Sequence, residues 1–427
     1  MNFFDRSIFA HGILPILLTP LRLNFAGAGP AGGKVGCNPR SAAPDFARRL
    51  LDGSCTSSEF HERMRSHRFP EKVSLVLNNS CNLACRHCYL QVRELTAEPL
   101  SVDEWEGLSA SILDSGTPFF SLAGKEVFLG RKNQEILRRI HALNKARGHP
   151  ARLGLITNGT LIQPFHTFLK GLNLDYLDIS LDGTPADHDA VRGEGAFAAA
   201  SPNVRWAASE MPDPFFLSMT LQRQNYQHIA PALQEFANLG VSNAGLSFFV
   251  PTSRTDPALN LSAEQIAHSI ISLADLGELS LPRPMTVIVE LNTHTPEGLE
   301  AFIRSPWFAP ERITTDRFDN LWIEHRLPNG LLLQFKFLVF PSSVYRVARI
   351  TPEGNYLASD DIFETELYRE RILTNVREHD LDFRRTHAAA KRHPRAREIL
   401  IEFEDSVLPG LRQAFKESLG ACRARVA

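Results

Sequence analysis

The chain has 427 residues, a net charge of −2, 43% hydrophobic and 22% charged residues, an ordinary balance for a water-soluble globular protein. A charge so close to zero gives no long-range field for nucleic acid or an anionic membrane surface. The N-terminal apolar run is broken by His11, Gly12, Pro15 and Pro20 and lacks a basic leader and a small-residue cleavage site, so neither a signal peptide nor a membrane span is expected. The expectation is a soluble cytoplasmic protein without nucleic-acid or membrane partners.

In chain order, residues 1–71 read as an N-terminal extension. Within it "GAGPAG", Gly27 to Gly32, is a formal G-x-G-x-x-G, but the residues after it do not open a helix, so a linker is expected rather than a dinucleotide site. Two short helices are expected over "FARRLLDG" and "SSEFHERMRSHRF". They read as a plain extension or, alternatively, as a small helical peptide-binding module.

From Lys72 a regular alternation begins. β-type runs lie at 73–77, 119–122, 152–157, 176–181, 215–221 and 245–250. Helical patterns separate them near 134–147, 161–171, 197–209 and 228–239, and one follows Ser101, which forms a capping box with Glu104. This order predicts parallel βα units with right-handed crossovers, closing into a partial (β/α)6 barrel over residues 72–290. An open doubly wound sheet is the alternative; in both, ligands sit at the C-terminal strand ends. A helix over 262–279 and a strand over 285–291 follow. Residues 291–377 read as a β-rich region with a hairpin, and 378–427 as a basic helical segment with a solvated face.

The stretch "NNSCNLACRHCYLQ" after the first run holds Cys81, Cys85 and Cys88, three of the chain's six cysteines. Such a triplet in a large chain points to a metal site in a reducing compartment. Structural zinc takes four ligands, and the nearest fourth candidate, His87, sits awkwardly between two of the thiols. Three thiolates can instead hold three irons of a 4Fe-4S cube and leave the fourth iron open. Cys37, Cys55 and Cys422 read as ordinary thiols, with a hydrogen-atom donor as the minor alternative.

"CNLACRHCY" resembles the C-x-x-x-C-x-x-C signature of radical S-adenosylmethionine (SAM) enzymes, and further motifs follow in that family's order. "SLAGKEVFL" stands where the family has Gly-Gly-Glu-Pro: Gly124 and Glu126 match, while Lys125 and Val127 replace the second glycine and the proline. "LITNGT", with Asn158, and "DISLDGTPADHDAVRGEGAF", with Ser180, Asp182 and Arg192, are similar to the SPASM and twitch subgroup, as is "LQRQN" through Asn225. The resemblance implies one 4Fe-4S cluster on Cys81, Cys85 and Cys88. It also implies S-adenosylmethionine against Gly124, Lys125, Glu126, Asn158, Ser180, Asp182 and Arg192, with the Glu126 carboxylate toward the cofactor's amino group. His188 reads as a surface or capping residue.

The activity implied is reductive cleavage of S-adenosylmethionine and hydrogen-atom abstraction from a peptide or small-molecule substrate. The electron would come from an external one-electron reductant of the flavodoxin or ferredoxin type. Ile350, Pro352, Gly354 and Asn375 resemble the frame of the SPASM or twitch extension. Its first cysteine is replaced by Leu357, Ala358 and Ser359, and only Cys422 lies downstream, so auxiliary clusters are not expected. Redox-neutral outcomes such as isomerisation, elimination or decarboxylation then gain weight. The degenerate region would serve as a substrate cover, with Leu331–Phe340 as its core. Two other readings are a cluster-binding partner that has lost cofactor cleavage, which Lys125 and Val127 favour, and a structural zinc protein.

Overall fold

The computed structural model describes residues 46–88, 95, 97–172, 174–252, 255–315, 320–337, 341, 345–358 and 372–426, with side chains through Gly420. The glycine-rich stretch 27–32, Cys37, Tyr89, Ser359 and the Cys422 side chain lie outside the described residues.

The expected strands form as β1 (Lys72–Val76), β2 (Phe119–Ala123), β3 (Arg152–Thr157), β4 (Tyr176–Ser180), β5 (Phe215–Leu221), β6 (Asn243–Phe248) and β7 (Thr286–Leu291). They pair in parallel in sequential order, without the reversal that defines a doubly wound sheet, so the barrel reading holds and the open alternative falls. A single direction of winding with right-handed crossovers puts the helices on one face. There Val73, Leu75, Phe120, Leu122, Leu153, Leu155, Leu177 and Ile179 meet them in the main core. The capping box of Ser101 and Glu104 starts the helix Val102–Ser115, as the sequence predicts.

Two helices were not legible from periodicity. Pro185–Arg192 spans only 8 residues and hides in a motif, though Thr184 and Asp187 form its capping box. Pro296–Arg304 follows a turn-rich stretch. The helix expected over 262–279 splits into Ala263–Ile271 and a 3-10 segment, Ser272–Glu278.

The β-rich C-terminal runs join the same sheet rather than standing apart. After β8 (Thr314–Thr315) and β9 (Leu321–Arg326), β10 (Leu332–Phe337) adds in parallel to β7. At the other edge β11 (Val347–Ile350) adds in parallel to β1, followed by antiparallel β12 (Asn355–Ala358) and β13 (Ile372–Asn375). Arg346 and Glu71, both buried, pair at 2.8 Å and fasten the start of β11 to that of β1. Leu333, Phe335 and Phe337 of the run expected to be the core of a cover lie in the main core. The N-terminal helices Phe46–Asp52 and Ser57–Ser66 dock on the C-terminal helices, where Phe60 meets Phe403 and His61 bonds Glu404.

On the other face burial, together with the Arg349 charge, pushes the Lys72 ammonium down to about 7, and Glu290 and Asp178 oppose that shift. On this side Phe119, Ile156, Tyr176, Phe216, Ile288 and Trp322 form a second apolar cluster. The ring of Tyr176 crosses β3 because residue 154 is glycine; a Cβ there would sit 1.6 Å from the ring. No helix among the described residues is long and apolar enough to cross a membrane.

Gly154→Ala is therefore expected to destabilise the fold by roughly 1–3 kcal/mol through overpacking. A urea titration checks this, and an unchanged midpoint would contradict the packing described.

Candidate active site

The C-terminal ends of β1 to β7 open onto one cavity, about 1180 Å³ including its open mouth. Its wall holds Cys81, Cys85, Cys88, Gly124, Lys125, Asn158, Ser180 and Arg192. Of the ten expected site residues, Glu126 and Asp182 are the two outside that wall. Both are fully buried just behind it.

The cysteine loop is held from several sides. Arg86 donates its backbone N–H to Val191 O at 2.9 Å and pairs with Asp256 at 2.6 Å. The Cys88 N–H closes a turn on Cys85 O at 3.1 Å. Asn82 and Asn158 join side chains at 3.0 Å, tying the loop to the end of β3. Asn78 fixes the loop to the segment after β2: its amide donates to Glu126 O at 2.7 Å, and its Oδ1 accepts from Lys125 N–H at 3.1 Å. A Cβ on Gly124 would lie 2.7 Å from that Oδ1, so this contact is open to glycine alone. The sequence offered no signal for Asn78, an asparagine in a loop. At the next position the backbone N–H is used and Lys125 is one of the lining residues of the cavity, while Val127 is buried in the main core.

Glu126 behaves as a structural clasp. Its carboxylate accepts from Thr157 Oγ1 at 2.7 Å, Asn158 N–H at 2.9 Å and Phe128 N–H at 3.1 Å. Burial raises its pKa, and those three donors oppose the rise. Its oxygens point to the end of β3, where they accept from Thr157 and the Asn158 N–H.

Asp182 is the second clasp. Burial alone would raise its pKa, yet the Arg192 guanidinium at 2.6 Å holds it well below the usual carboxylate range. Its Oδ1 accepts from Thr220 N–H at 2.9 Å, and Asn225 donates to its carbonyl at 3.0 Å. His188 is fully buried, not a surface residue: its Nδ1 accepts the Asp182 N–H at 3.1 Å, and its ring meets Phe197 edge-on. The short helix Pro185–Arg192 turns this side chain inward under the loop. Burial pushes His188 and His87 down to about 4, so both are neutral near pH 7 and the 3.4 Å approach of His87 to Asp182 is not an ion pair.

The thiols form a suitable donor set for an iron–sulfur cluster. Cys81 Sγ accepts from Leu83 N–H at 3.4 Å and from the Asn158 amide at 3.7 Å, the hydrogen bonds that a cluster thiolate receives. Burial pushes the Cys85 thiol up to about 12, with Arg192 opposing, so ligation there must expel a proton. Among the described residues no three His, Cys, Asp or Glu groups converge tightly enough for a single metal ion. All three cysteines line the same cavity.

Residues 75–236 match the Radical SAM superfamily, a family that uses a 4Fe-4S cluster and S-adenosylmethionine. The chain is 28% identical over 219 residues to the AdoMet-dependent heme synthase of Methanosarcina barkeri, covering 50% of this chain and 61% of that one. It is 25% identical over 184 residues to the sporulation killing factor maturation protein SkfB of Bacillus subtilis, covering 40% of each. The matched segments thus span less than two thirds of these relatives. Among solved structures, that of Streptococcus suis SuiB bound to precursor peptide SuiA aligns with a TM-score of 0.52 at 14% identity, over 88% of this chain and 74% of that one, a likeness of fold.

Removing the Asp182 carboxylate would leave Arg192 buried without its partner. Asp182→Ala is expected to lose about 3–5 kcal/mol of stability, measured by denaturant titration, and Asp182→Asn less. Equal stability of both variants and the unaltered protein would contradict this role.

Proposed function

We propose that the chain is a radical SAM enzyme with one 4Fe-4S cluster, acting on a peptide or a small specialised metabolite. One observation carries the reading: the cysteine triplet and the motif residues from three later strand ends line a single cavity. When bound, the cluster and S-adenosylmethionine supply a one-electron cleavage that generates the hydrogen-abstracting radical.

The chain's own residues hold and shield that chemistry. Cys81, Cys85 and Cys88 would ligate the cluster. The wall formed by Gly124, Lys125, Asn158, Ser180 and Arg192 would take S-adenosylmethionine. Glu126 and Asp182 act as positioning residues, the first locking the end of β2 to β3, the second holding Arg192 at the rim. Ile156, Phe248, Phe249 and Val250 form an apolar side of the cavity that keeps water from a reactive intermediate. An external flavodoxin- or ferredoxin-type reductant would deliver the electron. The downstream sequence lacks the cysteines for auxiliary clusters, which supports a redox-neutral outcome.

Peptide substrates draw support from SkfB and the SuiB complex, and small-molecule substrates from the heme synthase. The proposed division is an extension over 1–71, a catalytic core over 72–290, a degenerate SPASM- or twitch-like region over 291–377 and a helical segment over 378–427. A second reading, a cluster-binding partner without cofactor cleavage, is favoured by Lys125 and Val127, which replace the second glycine and the proline of the family motif.

Anaerobic reconstitution should give about four iron and four sulfide per chain, and dithionite should yield deoxyadenosine from S-adenosylmethionine. Cys81→Ala, Cys85→Ala or Cys88→Ala should each abolish deoxyadenosine formation and lower bound iron. An intact cluster that produces no deoxyadenosine would sink the enzyme reading and leave the binding partner.

A further inference from the structure

On the side formed by β5 to β7 the cavity wall changes character. Thr220, Ser247 and Asn292 are polar wall residues, Ser218 gives its hydroxyl to the buried Asp178, and Glu290 is the one formal charge among the described wall residues there. Glu290 is 5% exposed, on a strand otherwise made of apolar residues and threonine, "TVIVEL".

Its surroundings differ from those of the buried carboxylates of Glu126 and Asp182. Glu126 has three protein donors, and Asp182 has Arg192 and Thr220. The Glu290 carboxylate accepts no hydrogen bond from the described residues. Its ion-pair partner is Lys336 of the adjacent strand β10, with Nζ 3.8 Å away, beyond hydrogen-bond reach. A carboxylate offers about four acceptor sites, and a buried one is stable only when donors fill them. Lys336 already balances the charge. The described residues leave its acceptor sites without hydrogen-bond donors, and the carboxylate lines a cavity from which a ligand can supply them.

We propose that Glu290 is the substrate-anchoring residue of this cavity, receiving hydrogen bonds from an uncharged N–H or O–H group of the substrate, with Ser247 and Asn292 completing the subsite. An anionic group would meet the Glu290 carboxylate, and a cationic one would add to a pair already neutral. The proposal rests on the reading of the cavity as the reaction chamber and assigns that chamber an uncharged polar substrate group.

Three probes of similar shape separate the possibilities: N-acetylserinamide is neutral, N-acetylserine anionic and serinamide cationic. Their binding to the reconstituted protein with S-adenosylmethionine is measured by ligand-observed NMR. The neutral probe is expected to bind best, at least about fivefold tighter than either charged one. Glu290→Ala should weaken it by a similar factor, and Glu290→Gln, which keeps one carbonyl acceptor, by less. A preference for a charged probe, no binding by any probe, or an unchanged affinity in Glu290→Ala overturns the proposal. If the alanine variant does not fold, judged by circular dichroism and iron content, the ranking in the unaltered protein and in Glu290→Gln decides. Deoxyadenosine formation by the unaltered protein is followed in parallel. Its absence refutes the reading of the chamber, whereas its presence with a different probe ranking refutes only the role of Glu290.

Discussion

The buried Asp182–Arg192 ion pair is the constraint around which the cavity is organised. An isolated charge in either position would be strongly unfavourable, so the two side chains must stay together. Their geometry then fixes several segments at once. Asp182 follows β4 and takes a donor from β5; Arg192 ends the short helix Pro185–Arg192 and reaches the cavity wall. The same helix accepts the Arg86 backbone N–H from the cysteine loop. Charge pairing in the interior thereby sets the height of the loop that carries the three thiols.

Polar clasps work the same way around the rest of the rim. Asn78 joins the segments after β1 and β2, and Glu126 joins those after β2 and β3. Each clasp uses groups that the strand ends leave without a ladder partner, so satisfying the backbone and shaping the cavity are one event. The departures Lys125 and Val127 fit this scheme. The first glycine is enforced by the 2.7 Å approach of Asn78, whereas the next position needs only its backbone N–H, which any residue but proline supplies. Position 127 is a core position, and valine fills it.

The edges of the sheet show a second economy of construction. The β-rich C-terminal runs extend the barrel sheet on both sides, with the Glu71–Arg346 pair fastening one side and parallel pairing of β10 to β7 forming the other. Lys336 thereby reaches Glu290, so a residue from the C-terminal region sits behind the wall of the barrel cavity. A covering domain would have left that wall unchanged.

By itself the sequence determined the succession of strands and helices along the chain, most strand boundaries to within two residues and the cysteine triplet, because apolar β-type runs and fixed spacings are local properties, while the order of strands within the sheet was settled by their pairing. It also marked the residues that follow each strand, since turn and loop motifs are local as well. Tertiary structure alone decided which of those residues face the cavity. Glu126 and Asp182 stand one layer back because hydrogen-bond partners from neighbouring strands pull them inward, and His188 is buried by the turn of a helix too short to show periodicity. Asn78, Glu290 and Lys336 gain their meaning only from contacts across strands distant in the chain, where solvent exclusion makes every unpaired polar group count.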